Sequence, residues 1–242
     1  MVFERVFFKY YFFISCVAYC FADLTSITFN VDHKNYSLFA FFSTLALYNI
    51  VHEFKENKYN LPRIILIVVG TLLSLHFLAF FSLNQLFVLA IASVVSLLYE
   101  LPQAFKFKGL RYIGYLKILS ISFSWFIIVV YIPYQDNASQ GVNYDLLYFG
   151  IWIFLWCYAF DIRDRITDLG KIKTLASLLS PLQSILIISM LCIGGFLLSP
   201  SPLFSIMMIV VSLANILSFR IDNKYFSLVV VDGFPILWLL LI

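Results

Sequence analysis

The residues of this chain best suited to chemistry lie in FDIRDRITDLGKIKTL, residues 160–175, where sixteen positions hold seven ionisable side chains. The stretch follows a run that is apolar from Leu146 through Phe160. Asp161, Asp164 and Asp168 are spaced by three and four residues, so a helix continuing through them carries all three carboxylates on one face. Stacked acids repel each other and need a compensating cation. Arg163 and Arg165 point elsewhere on the helical wheel, so the spacing suggests a divalent metal. Mg²⁺ takes one or two carboxylates and completes its octahedron with phosphates and waters. Gly170 is a plausible helix stop, and Lys171, Lys173 and Thr174 then form a basic loop suited to an anion. The alternative is a solvated, charge-mixed helix end that only anchors the chain.

A second polar helix end is YNIVHEFKENKYNLPR, residues 48–63. Asn49, Glu53 and Asn57 share one face at spacings of four, with His52 and Glu56 beside them. Two such ends, four hydrophobic segments apart, suggest two parallel halves of a bundle that could face each other across a cavity.

The elements that position these groups are set by composition. The 242 residues are 62% apolar and 12% charged. Soluble domains are about 45–50% apolar and about 25% charged, and a globule of this size leaves too much surface in water to hide the excess. The solvent is expected to be lipid. A spanning helix needs about 17–25 apolar residues. Nine windows qualify: 6–24, 36–54, 63–82, 84–100, 114–133, 145–162, 175–198, 203–219 and 226–242. The breaks between windows three and four, and seven and eight, rest on Ser82-Leu83-Asn84-Gln85 and Ser199-Pro200-Ser201-Pro202.

Charge placement supplies the orientation. With the N-terminus inside, every basic residue of the sixteen except Lys34 falls on the cytoplasmic side. The chain is thus expected to be an all-α membrane bundle of about nine helices, one domain over 1–242, N-in and C-out, its cavity open to the cytoplasm. The net charge of +3 is an anchoring charge and calls for no nucleic acid. The first segment is bulky and aromatic without a good cleavage site, so it is expected to stay as a span.

Other chemistry-bearing types say less. Cys16, Cys20, Cys157 and Cys192 show no metal-ligand spacing with a histidine and suit packing. His33 falls in an outer loop, and His76 is alone within the third window. Asp232, inside the ninth, is a functional candidate by its depth, although Gly233 and Pro235 could break the helix there.

DIRDRITDLGKIKTL resembles the second Asp-rich motif of the UbiA superfamily of intramembrane prenyltransferases. Asp161, Arg163, Asp164, Asp168, Lys173, Thr174 and Leu175 carry the match. LYELPQAFKFKGLRYIGYLK, with Tyr99 and Lys117, resembles the family's cytoplasmic segment before span five. The first motif departs from the family's Asn-Asp-x-x-Asp-x-x-x-Asp: Asn49 is kept, but Ile50, Glu53 and Asn57 replace its acids, and the following loop is short.

The resemblance implies a Mg²⁺-dependent transfer of a prenyl group from a polyprenyl diphosphate to a membrane-accessible hydrophobic acceptor, at the cytoplasmic face of a bacterial inner membrane. It implies Asp161, Asp164, Asp168, Asn49 and Glu53 as catalytic metal ligands. Lys117, Lys171, Lys173 and Arg111 are the implied diphosphate contacts. The altered first motif leaves open a member that binds prenyl diphosphate without turnover. A small-solute transporter is less compatible, because its ionisable groups would lie near the midplane. A CDP-alcohol phosphotransferase also has an Asp-rich membrane site, but its Asp-Gly and Ala-Arg lead-in is absent.

Overall fold

The computed structural model of the protein describes residues 11–31, 34–56, 60–100, 109–136, 144–165, 174–221 and 232–240, with only the backbone of 54–56, 100 and 232. Among the described residues every regular element is helical and there is no strand. The first four helices among the described residues are α1 (Phe12–Thr28), α2 (Lys34–Glu56), α3 (Leu61–Leu78) and α4 (Leu83–Glu100). A 3₁₀ turn, Leu110–Tyr112, precedes α5 (Leu116–Phe126), which passes through a π turn (Ile127–Tyr131) into α6 (Ile132–Gln135). Then come α7 (Tyr144–Asp164), α8 (Leu175–Leu178), α9 (Pro181–Leu197), α10 (Pro202–Ser218) and α11 (Asp232–Leu239).

The expected breaks are real and have a chemical cause. Ser82 and Gln85 cap α4 reciprocally: the Ser82 amide donates to Gln85 Oε1 (2.8 Å) and the Gln85 amide to Ser82 Oγ (3.3 Å). Pro202 opens α10, where its missing N–H costs nothing. One boundary is corrected. Window seven is divided, because Ser180 and Gln183 form a capping box and Pro181 starts α9, leaving Leu175–Leu178 as a separate turn. Gly233 and Pro235 lie in the first turn of α11, which begins at Asp232; the earlier part of window nine lies outside the described residues.

Helix occupies part of each of the nine expected windows among the described residues. Three of the described stretches are long and apolar enough to cross a membrane: Leu61–Leu78, Leu116–Gln135 and Tyr144–Asp164. The apolar helices α1, α9 and α10 are shorter, at 17 residues. The distribution of polarity supports a lipid environment. Leu72, Leu75, Leu83, Phe87, Met190 and Leu197 are all more than half exposed, while Asn49, Arg63, Gln85, Lys117, Asp161 and Asn215 are buried. Water would reverse that arrangement.

The chain divides into two compact units: Met1–Ile91 with Ile128–Ala138 and Pro235–Ile242, and Ala92–Ile127 with Ser139–Phe234. In the first, α2 packs against both α1 and α3. Gly70 of α3 permits the close approach, since a Cβ there would lie 3.1 Å from the Phe42 carbonyl and 3.2 Å from Ala46 Cβ. Buried Gln85 Nε2 reaches Tyr36 Oη (3.2 Å), the Ile132 carbonyl (3.1 Å) and Asp136 Oδ1 (3.0 Å), joining α2, α4 and α6. The Thr25 hydroxyl donates to the Val129 carbonyl in the π turn. Asp23, buried within α1, accepts from Ser37 Oγ at 3.0 Å.

In the second unit α7 is central, packed by α5, α8, α9 and α10. About 61% of its span is buried, as is that of Leu116–Gln135, against 11% for α3, so α7 is an interior helix and α3 an outer one. Three contacts fix its register. Tyr148 Oη donates to the Phe204 carbonyl (2.8 Å), Tyr158 Oη to Ser184 Oγ (2.8 Å), and Trp156 meets Trp125 edge to face at 4.7 Å. α7 therefore delivers its last turn, Asp161–Asp164, in a fixed position.

Candidate functional site

Asp161 and Asp164 stand in the last turn of α7, where the helix macrodipole is negative and disfavours a carboxylate. Lys117 stands in the first turn of α5, where the dipole is positive and disfavours a cation. Each charge is thus at the wrong end of its own helix. Packing α5 on α7 brings them together: Lys117 Nζ lies 3.2 Å from Asp161 Oδ1 and 3.9 Å from Asp164 Oδ2.

The pair is deep. Lys117 is 4% exposed and Asp161 2%. Burying single charges costs several kcal/mol per ion, and the mutual attraction offsets this only when further bonds satisfy the remaining atoms. Asp161 Oδ2 has such a bond, accepting the Ala176 amide at 2.9 Å. Ala176 belongs to α8, whose N-cap Thr174 is fully buried and shares a capping box with Ser177. Asp161 therefore ties three pieces of chain together: the end of α7, the start of α5 and the turn following residues 166–173.

Asp164 is different. Its side chain is 30% exposed, and its Oδ1 accepts from Arg163 Nε at 2.9 Å. Here the sequence reading is corrected. Arg163 does not point away from the acids; it reaches forward one residue to Asp164, with its guanidinium 5.0 Å above the Phe160 ring. Arg165 does leave the cluster, lying over Phe219 at 4.9 Å. Among the described residues, Lys117 and Arg163 are cations set against Asp161 and Asp164.

The remaining expected residues fall as follows. Asp168, Lys171 and Lys173 lie outside the described residues, as do Asn57 and Gly170. Arg111 sits in the 3₁₀ turn before α5, partly buried. In the other unit, Asn49 is fully buried and its Nδ2 donates to the Leu45 carbonyl one turn back, at 2.8 Å. Glu53 is engaged within its own helical hairpin: Oε2 pairs with Arg63 Nη1 at 3.1 Å and Oε1 accepts the Asn60 amide at 3.0 Å. His52 packs against the Tyr11 ring, with centroids 5.7 Å apart.

Sequence reasoning passed over Asp23 and Arg63. The signal for Asp23 was an acid inside an apolar run. For Arg63 it was a cation in the first turn of a helix, the same dipole conflict that marks Lys117.

As a metal site the described residues are sparse. Among them no three His, Cys, Asp or Glu side chains come together to hold an ion. Asp164 fits Mg²⁺ best, because it is partly exposed and Mg²⁺ needs few protein carboxylates once phosphates complete its shell. Asp161 fits anchoring better, with one oxygen on the Ala176 amide and the other facing Lys117. Comparison with family models, with curated proteins and with solved structures gives no match to this chain.

Proposed function

We propose that the chain is an integral membrane prenyltransferase of the UbiA type, moving a prenyl group from a polyprenyl diphosphate to a hydrophobic acceptor. The observation that carries this reading is the Asp161–Lys117–Asp164 cluster: buried charges, set against their own helix dipoles, at the end of an apolar interior helix. Local rules violated together in this way are characteristic of functional sites. The arrangement of nine spans, N-in and C-out, belongs to the same reading. It rests on charge asymmetry, as does the choice of a bacterial inner membrane with the site facing the cytoplasm.

In this reading Asp164, with Asp168, holds Mg²⁺, and Asp161 positions Lys117 and the turn after the basic loop. Mg²⁺ would supply positive charge to the leaving diphosphate without proton transfer. Lys117, Lys171, Lys173 and Arg111 contribute further charge there, and stabilising a charged leaving group is commonly the largest catalytic term. The allylic C–O bond breaks with its electron pair going to the diphosphate. The acceptor then bonds to the allylic carbon and gives up a proton.

A second reading, binding without turnover, is favoured by one observation. Glu53, the acid retained in the weaker motif, is committed to Arg63 and the Asn60 amide. Diphosphate release separates the two readings, since only the enzyme liberates it.

The proposal is tested by the melting temperature of the purified protein in detergent with geranylgeranyl diphosphate, with and without Mg²⁺. A ligand at about 100 times its dissociation constant stabilises the native state by about 2.7 kcal/mol. The expected rise requires Mg²⁺ and is absent from Asp164→Asn. A folded protein that no prenyl diphosphate stabilises would overturn both readings.

A further inference from the structure

The seam where α7, α9 and α10 meet changes character along its length. At one end it is filled by rings: Phe204 of α10 meets Tyr148 and Phe149 of α7 at centroid distances of 5.5 and 5.8 Å. Tyr148 Oη donates to the Phe204 carbonyl and Arg165 Nη2 to the Phe219 carbonyl, so α7 and α10 run parallel. Eleven residues make close to three helical turns. Three turns further along, Asn215 therefore takes the stripe of Phe204 on α10, and Ala159 that of Tyr148 on α7. α9 runs the other way, with Cys192 against the Met208 carbonyl and Ser184 against Tyr158. Ser184 thus reaches the level of Ala159 and Asn215. Where one end of the seam holds three rings, the other holds Ala159, Ser184, Ser212 and Asn215, all buried.

Two atoms at this small-residue end have no hydrogen-bond partner among the described residues: Asn215 Oδ1 and Ser212 Oγ. Asn215 is 0% exposed and Ser212 4%. The Asn215 amide nitrogen is committed to the Val211 carbonyl at 3.0 Å, so the oxygen alone remains to be matched. A buried polar atom left unmatched carries its full desolvation cost. Residues three apart on a helix are neighbours, so a single small group can touch both. Oδ1 only accepts, whereas the serine hydroxyl also donates. Their complement is an oxygen that gives a proton to one and takes a hydrogen bond from the other.

We propose that Asn215 and Ser212 form a binding site for one uncharged hydroxyl, supplied by a membrane-soluble alcohol or by water. The four residues at this end of the seam are neutral, which suits a hydroxyl and not an ion. Asp161 is no part of the site. Two residues beyond Ala159, it turns to the opposite flank of α7 and meets Lys117 of α5. The inference is therefore independent of the prenyltransferase reading.

The experiment compares melting temperatures in detergent of the wild type, Asn215→Leu, Ser212→Ala and the double variant. Deleting a polar group that nothing satisfies leaves stability unchanged or raises it, whereas deleting one that holds a bound oxygen lowers it. Each single variant is expected to melt about 2–4 °C below the wild type. The double variant is expected to lose less than the sum, because both side chains hold the same oxygen. Single variants that melt no lower than the wild type would overturn the proposal, and so would losses that simply add. If Asn215→Leu does not fold, Ser212→Ala decides by the sign of its shift, since alanine is the better helix former and propensity alone would raise it. The isosteres 1-hexanol and heptane then identify the source. A wild type stabilised more by hexanol than by heptane, with the difference lost in the folded variants, assigns the oxygen to an alcohol. Equal responses to the two, with the coupled losses present, assign it to water.

Discussion

The ends of α2 and α7 obey the same electrostatic rule and resolve it differently. Each places an acid in the last turn of a helix, and each pairs it with a cation from the first turn of another: Glu53 with Arg63, Asp161 with Lys117. In both, macrodipoles disfavour the charges separately, and pairing offsets the cost. The difference is range. Arg63 follows Glu53 by ten residues across one short turn, and the Asn60 amide in that turn completes the clamp. Lys117 precedes Asp161 by 44 residues, and the meeting depends on packing two helices correctly. A local clamp closes a hairpin. The tertiary cluster leaves one of its carboxylates, Asp164, 30% exposed at the helix end.

The comparison is broken or sharpened first by removing charge from the deep pair. Lys117→Met leaves Asp161 uncompensated at 2% exposure and is expected to cost about 3–5 kcal/mol. Lys117→Met with Asp161→Leu should recover most of that, because apolar replacement of a buried pair is often nearly neutral. Denaturant melts of singles and double in detergent decide; costs that simply add would mean the two residues are not coupled.

Arg63→Met should be milder, about 1.5–3 kcal/mol, since Glu53 is 18% exposed and can rehydrate. A loss larger than that of Lys117→Met would invert the ranking. Gly70→Ala tests the hairpin by packing. Its Cβ would press on the Phe42 carbonyl, a backbone atom that yields little, and about 1–3 kcal/mol is expected in the same melts. Leu72→Ala, on the exposed face of α3, should change stability by no more than about 0.5 kcal/mol.

Much of the fold was legible in the sequence because apolar windows and caps are local signals. Ser82 with Gln85, and the prolines around Ser201, mark turns by chemistry that needs no distant partner. Ser180-Pro181 carried the same signal inside window seven and was outweighed there by continuous hydrophobicity.

The candidate site was legible only as types and spacing. Nothing near Asp161 announces that Lys117 and the Ala176 amide are its partners, because those contacts exist only after α5, α7 and α8 pack. The wheel also misplaced Arg163, whose long side chain reaches a neighbour that helical geometry sets on another face. Charges opposing their own helix dipoles would have found Lys117, Arg63, Glu53 and Asp161 without a structure.

The central claim is that the end of α7 binds and the end of α2 clamps. Its most direct test is Mg²⁺-dependent binding of labelled geranylgeranyl diphosphate to Asp164→Asn and Glu53→Gln, measured beside the wild type. The account predicts that Glu53→Gln retains binding and that Asp164→Asn loses it. Binding retained by Asp164→Asn, or lost equally in both variants, would contradict it.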